Sequence, residues 1–226
     1  WLGRRKTYEG IDVNRRLFLT QMFNMGVLSL GGASTAAGGI VNMRPPEIFQ
    51  VKIPLKQMHD DLKDFTIVQI SDLHIGPLLG REFLQDVVDR VNQLKPSLVA
   101  ITGDLMDGKL SQLRETVRII SQLQSVHGSY FVAGNHEYYS GYAEWMIFLK
   151  QLGIKVLENE SDFLNVGNAT VLVGGVPDYM TSPVSADPHR AIIHSRGKAD
   201  LSILLAHQPR GCDEAAKAGF NLQLSG

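Results

Sequence analysis

From Phe65 onward, short apolar runs alternate with amphipathic stretches. Residues 65–71 form a β-rich run with little interruption, as expected of a buried strand. Residues 81–94 place Phe83, Leu84, Val87, Val88, Val91 and Leu94 on one side of a helix. A strand follows at 98–102, a helix at 110–123, a strand at 130–133 and a helix at 142–152 closed by Gly153. Short strands are expected at 156–157, 163–166 and 170–173, then a helix at 188–195, a strand at 202–206, a helix at 213–218 and a last strand at 222–225. Residues 47–63 alternate loosely through Ile48, Val51, Ile53 and Leu55, which suggests one edge strand. The pattern predicts α/β layers with a mostly parallel sheet covered by helices.

The first third reads differently. Residues 17–43 contain no charged side chain, and that length suffices for a bilayer-crossing helix of about 20 residues. Asn14-Arg15-Arg16-Leu17-Phe18-Leu19-Thr20 precedes it and resembles a twin-arginine export signal. A transmembrane helix with a cytoplasmic basic flank is a second reading. Both put the following domain outside the cytoplasm, membrane-associated. A buried helix of a soluble protein is the third, weakened by Gly26, Gly31, Gly32, Gly38 and Gly39. The expected organisation is therefore 1–43 as basic flank plus signal or transmembrane segment, 44–64 as lead-in, and 65–226 as catalytic domain.

With 226 residues, 44% of them hydrophobic, the chain has enough for one globular domain with a sizeable core. A net charge of -1 gives no global field directed at nucleic acid, although Arg4, Arg5, Lys6, Arg15 and Arg16 crowd the start. The single Cys212 excludes an internal disulfide and sits in no nucleophile motif.

The chemistry lies where strands end. Asp72-Leu73-His74, Gly103-Asp104, Gly134-Asn135-His136 and Ala206-His207 each follow an apolar run. In open α/β sheets, ligands bind at the carboxyl ends of the strands. Each residue alone suits an ordinary role in a turn, cap or core; their recurrence at strand ends points to metal ligation. Asp72 and His74, two apart on an extended segment, face one side. Asp104 is the candidate bridging carboxylate, and Gly103 leaves room for close approach. Asn135 offers a neutral carbonyl oxygen and His207 an imidazole. Such mixed oxygen and nitrogen donors suit Mn, Fe, Zn, Ni or Co. Two divalent ions about 3.5–4 Å apart stabilise phosphoryl charge and generate hydroxide at neutral pH. His136 can then reach the phosphate as a general acid.

The strings Ser71-Asp72-Leu73-His74, Ile101-Thr102-Gly103-Asp104-Leu105, Gly134-Asn135-His136-Glu137-Tyr138-Tyr139 and Leu205-Ala206-His207-Gln208-Pro209 resemble the calcineurin-like metallophosphoesterases over residues 65–226. They are most similar to the membrane-associated branch, which includes twin-arginine-exported phosphodiesterases and transmembrane proteins with this domain. The resemblance implies a layered α/β/β/α sandwich and a phosphodiesterase using two metal ions and a bridging hydroxide. It implies that Asp72, His74 and Asp104 hold one ion, that Asp104, Asn135 and His207 hold the other, and that His136 assists catalysis. The family's closing Gly-His-x-His motif is expected to begin at Gly226, leaving this chain truncated and impaired. The implied partners are a phosphoester substrate, lipid-linked esters included, and a membrane, but no nucleic acid. Two other readings stay open: a pyrophosphate hydrolase of the UDP-2,3-diacylglucosamine type, and a non-catalytic metal-binding scaffold. Asp107 and Glu137 are expected as hydrogen-bond partners of the ligands or as turn residues. Tyr138 and Tyr139 serve packing or substrate contact, and residues 176–188 are expected as a plain connecting loop, with a loop that overhangs the rim and meets substrate as the second reading.

Overall fold

Strands β1 (Ile67–Ile70), β2 (Leu98–Ile101), β3 (Ser129–Phe131) and β4 (Lys155–Val156) pair in parallel and in chain order. The structure, a computed structural model, describes residues 46–55, 58–193 and 199–226. The parallel pairing requires crossovers, all three of which contain helix, and the first two hold one helix each. These are α1 (Arg81–Gln93), and α2 (Leu110–Val117) continued by a 3-10 turn at Arg118–Gln122. Helices α3 (Asn135–Ser140) and α4 (Tyr142–Gln151) connect β3 to β4.

A second sheet holds β5 (Glu160–Val166), β6 (Ala169–Gly175), β7 (Leu201–Leu205) and β8 (Leu222–Leu224) in that order. The β5–β6 hairpin is antiparallel and turns through Gly167 and Asn168; β6, β7 and β8 run parallel. Helix α5 (Pro188–Ile193) lies between β6 and β7, and α6 (Cys212–Ala218) between β7 and β8.

Alternation along the strands divides the interior into three cores. On β2, Val99 and Ile101 pack toward α1, α2 and α4, while Leu98 and Ala100 pack against the other sheet. On β6, Val171 and Val173 face the first sheet, while Leu172 joins Ala191 of α5 and Ala215 of α6. The layers are thus helices, sheet, sheet, helices. Both sheets have two covered faces, which explains why β2, β3 and β7 are buried along their whole length.

The single sheet expected from the strand pattern is in fact two. A β-rich run specifies burial but not its partner, so hydropathy could not separate the strands into sheets. Residues 47–55 form no strand, and Ile48, Phe49, Val51 and Ile53 are exposed. The expected helix at 110–123 tightens into the 3-10 turn, where the adjacent Ile119 and Ile120 are both buried. Residues 17–43, expected to form a signal or span, lie outside the described residues. Among the described residues, no helix is long and apolar enough to cross a membrane.

Candidate metal centre

The strands that lead into the site are parallel to their neighbours within each sheet, and the contact of His207 with Thr102 O joins the rim of the second sheet to that of the first. Asp72 and His74 follow β1, Asp104 follows β2, His136 stands in the first turn of α3 after β3, and His207 follows β7. Asn135 opens α3 between Gly134 and His136.

The backbone here is contorted. Asp72, His74 and Asp104 have φ of 55°, 46° and 51°, in the left-handed region. Each such non-glycine residue costs on the order of 1–3 kcal/mol and persists only where its surroundings over-determine it. Those surroundings are explicit. The Asp72 N–H donates to Gly103 O (3.1 Å), and the His74 N–H to Asp104 O (3.0 Å). Gly103, at φ +95°, permits the turn, and a side chain there would lie 2.6 Å from the Gly134 nitrogen.

Glu137 holds the strand ends together. Its side chain is fully buried. One carboxylate oxygen accepts from the backbone N–H groups of Asp104 (2.9 Å) and Gly134 (2.7 Å), and the other from that of Leu105 (2.8 Å). Burial pushes this carboxyl up from its ordinary value, opposed by the three backbone donors. Glu137 therefore ties the loop after β2 to the start of α3. Nothing in residue order distinguishes this role from that of an ordinary helix N-terminal glutamate.

The three histidines are anchored alike. His207 Nδ1 lies 2.8 Å from Thr102 O, and a carbonyl only accepts, so Nδ1 carries the proton. His74 Nδ1 lies 3.0 Å from one oxygen of Asp107, and His136 Nδ1 meets the other. Burial acts to raise the Asp107 carboxyl, but hydrogen bonds from His74 and His136 outweigh it and hold the group below its ordinary value. The remaining ring nitrogens converge. Nε2 of His207, His74 and His136 lie 3.4, 3.8 and 3.9 Å from the same Asp104 Oδ2, and His74 Nε2 lies 3.9 Å from Asp72 Oδ1.

The Nε2 atoms of His74 and His207 and the carboxylates of Asp72 and Asp104, turned on one another, repel unless a cation lies among them. That donor set fits divalent metal. Donor atoms of Asp72, Asp104 and His207 lie within 4.8 Å of one another, as do those of His74, Asp107 and His136. In the second group both Nδ1 atoms are already engaged by Asp107, which makes it a clamp on two rings rather than a ligand set. The sequence singled out Asp107 without showing that it receives two histidines; only the meeting of two loops reveals it.

Across residues 65–224, the sequence matches the calcineurin-like phosphoesterases. The chain belongs to that family. A relative in Danio rerio, a transmembrane protein with metallophosphoesterase domain, is 34% identical over 86% of this chain and 47% of its own length. An uncharacterized metallophosphoesterase of Helicobacter pylori is 33% identical over 73% of this chain and 43% of its own length. The chain thus spans about half the length of the curated relatives it matches. Among solved structures, the NAD nucleotidase of Haemophilus influenzae shares the fold, with 17% identity, a TM-score of 0.51, and 72% of this chain and 38% of that one covered.

Proposed function

We propose that residues 65–226 form the hydrolytic domain of a metal-dependent phosphodiesterase, with Asp72, His74, Asp104, Asn135 and His207 as the ligands of two divalent ions. The observation that carries this reading is the convergence of three Nε2 atoms and the Asp72 carboxylate around Asp104. Bound divalent ions would neutralise phosphoryl charge and make water a nucleophile at neutral pH. The protein's own contribution is orientation. Thr102 and Asp107 fix the ring faces, and Glu137 fixes the backbone beneath Asp104. His136, its Nδ1 held by Asp107, has Nε2 available to hand a proton to the leaving oxygen.

The test is His136→Ala in the whole protein that carries this chain, supplied with Mn2+ and bis(p-nitrophenyl) phosphate. Turnover is expected to fall about 10²–10⁴-fold, the usual contribution of a general acid, while bound metal stays at the wild-type level. Unchanged turnover removes His136 from the mechanism, and absence of metal-dependent hydrolysis in the wild type removes the enzyme reading. The uncharged stretch 17–43 supports placing the domain at the outer face of a membrane; protease accessibility in intact cells tests that placement.

A further inference from the structure

The loop between β6 and α5 is too well built for a plain connection. At its start, Asp178 is buried; its Oδ1 accepts the N–H groups of Met180 (3.0 Å) and Thr181 (2.7 Å). Its Oδ2 accepts from Gln208 Nε2 (2.9 Å), in the residue directly after His207. At its end, the buried Asn159 donates to Ser185 O (2.9 Å) and accepts from Asp187 N–H (2.8 Å). In between, Ser182 sits beside the Tyr138 hydroxyl, two residues after His136; burial pushes this phenol up, with the Ser182 contact opposing. The loop thus runs between the segments that carry His207 and His136, fixed at both ends by buried polar side chains.

What the loop displays is apolar. Met180 is 65% exposed, with the Arg210 guanidinium against its sulfur, and Val184 is 40% exposed. On neighbouring segments of the rim, Leu78, four residues after His74, is 91% exposed. Tyr139 is 71% exposed, its ring 5.7 Å from that of His136. Elsewhere in 58–226 the exposed large apolar side chains among the described residues are Leu94, Val126 and Ile147, each on a different element. The other such group, Ile48 to Ile53, belongs to the lead-in, whose Leu55 and Met58 pack where β7 and β8 begin, at the far end of the sheet from the rim. Apolar side chains concentrated around a polar centre mark a ligand surface.

We propose that Met180 and Val184, held by the pinned loop, together with Leu78 and Tyr139, select phosphoesters that carry an apolar ester group. This rests on the phosphodiesterase reading above and adds the substrate class. The phosphoryl group sits among Asp72, Asp104 and the histidines, and the apolar substituent lies over the rim, where its burial strengthens binding.

Two readouts test it on the whole protein supplied with Mn2+. The first is kcat/KM for methyl against octyl p-nitrophenyl phosphate. The second is calorimetric binding of methyl against octyl phosphate, below the aggregation concentration of the longer chain. A fully buried methylene contributes a factor of about four. A partly open rim gives less, so an octyl preference of roughly 20-fold or more is expected in both readouts. In Met180→Ser/Val184→Ser and in Leu78→Ser, checked for wild-type melting, the octyl-to-methyl ratio is expected to fall at least threefold. A ratio near one in the wild type overturns the proposal, as does an undiminished ratio in both variants. Octyl preference in binding with no ester cleaved supports the apolar rim and removes the phosphodiesterase reading. Cleavage of both esters at one rate does the reverse.

Discussion

Replacing Glu137 by glutamine removes one acceptor from a side chain with no solvent exposure. The carboxylate accepts three backbone N–H groups, two on Oε2 and one on Oε1. A glutamine amide can keep the two shared by Asp104 and Gly134 by turning its oxygen there. Its NH2 then faces the Leu105 N–H, donor against donor. The cost is one charge-assisted hydrogen bond, about 1.5–3 kcal/mol, with one buried N–H left unsatisfied. Loss of a carboxylate beside Asp104 relieves some repulsion, since the Asp104 charge acts to raise the Glu137 carboxyl. The net expectation is about 1.5–3 kcal/mol of destabilisation, or a fall in Tm of about 4–10 °C for a domain of this size. The same bonds hold the backbone of Asp104 under its carboxylate, and loss of such support behind a metal ligand typically lowers metal affinity about 10–100-fold. Thermal melts with and without Mn2+, and calorimetric Mn2+ titration, read both effects. A Tm within about 1 °C of wild type, with metal affinity unchanged, would refute the account of Glu137 as the tie between β2 and α3.

Gly134→Ala makes a purely steric case, because φ of -93° suits alanine but its Cβ would meet Asp104 Oδ1 and lie 2.8 Å from Asp104 N and 2.9 Å from Asp104 Cγ. Stability is expected to drop by about 1–3 kcal/mol and Mn2+ binding to weaken; unaltered binding in a titration would show that the Asp104 carboxylate is not displaced. Away from the site, burial acts to raise the Asp162 carboxyl, but hydrogen bonds from Lys155 and Tyr130 hold it below its ordinary value. A lowered folded value means that its stability is present above the ordinary carboxylate range and is lost as pH falls through the lowered value. Asp162→Asn is thus expected to melt below wild type at pH 7, with the gap closing in strong acid; a gap constant across pH would contradict that linkage.

Periodicity in the chain foretold most elements of 65–226, because burial of α1 at Leu84, Val87, Val88 and Val91 and full burial of β2 leave an imprint on residue order. It also pointed to strand ends as the place for Asp72, His74, Asp104, Asn135, His136 and His207, since in parallel strands side chains there share one rim. Helix α3 escaped notice because its six residues carry no apolar period; it depends on Glu137 and the turn at Gly134. Periodicity could not divide the strands into two sheets, which only the family resemblance implied, because which faces meet across Leu98, Tyr130, Val171 and Ile203 is settled in three dimensions. Nor could residue order reveal that Asp107 receives two imidazoles or that Asp178 reaches Gln208, contacts joining residues about 30 positions apart. Sequence determined which donors exist and at which strand ends they stand. Tertiary structure decided which atoms face one another, because ring orientation is fixed by hydrogen bonds that form only when separate loops meet.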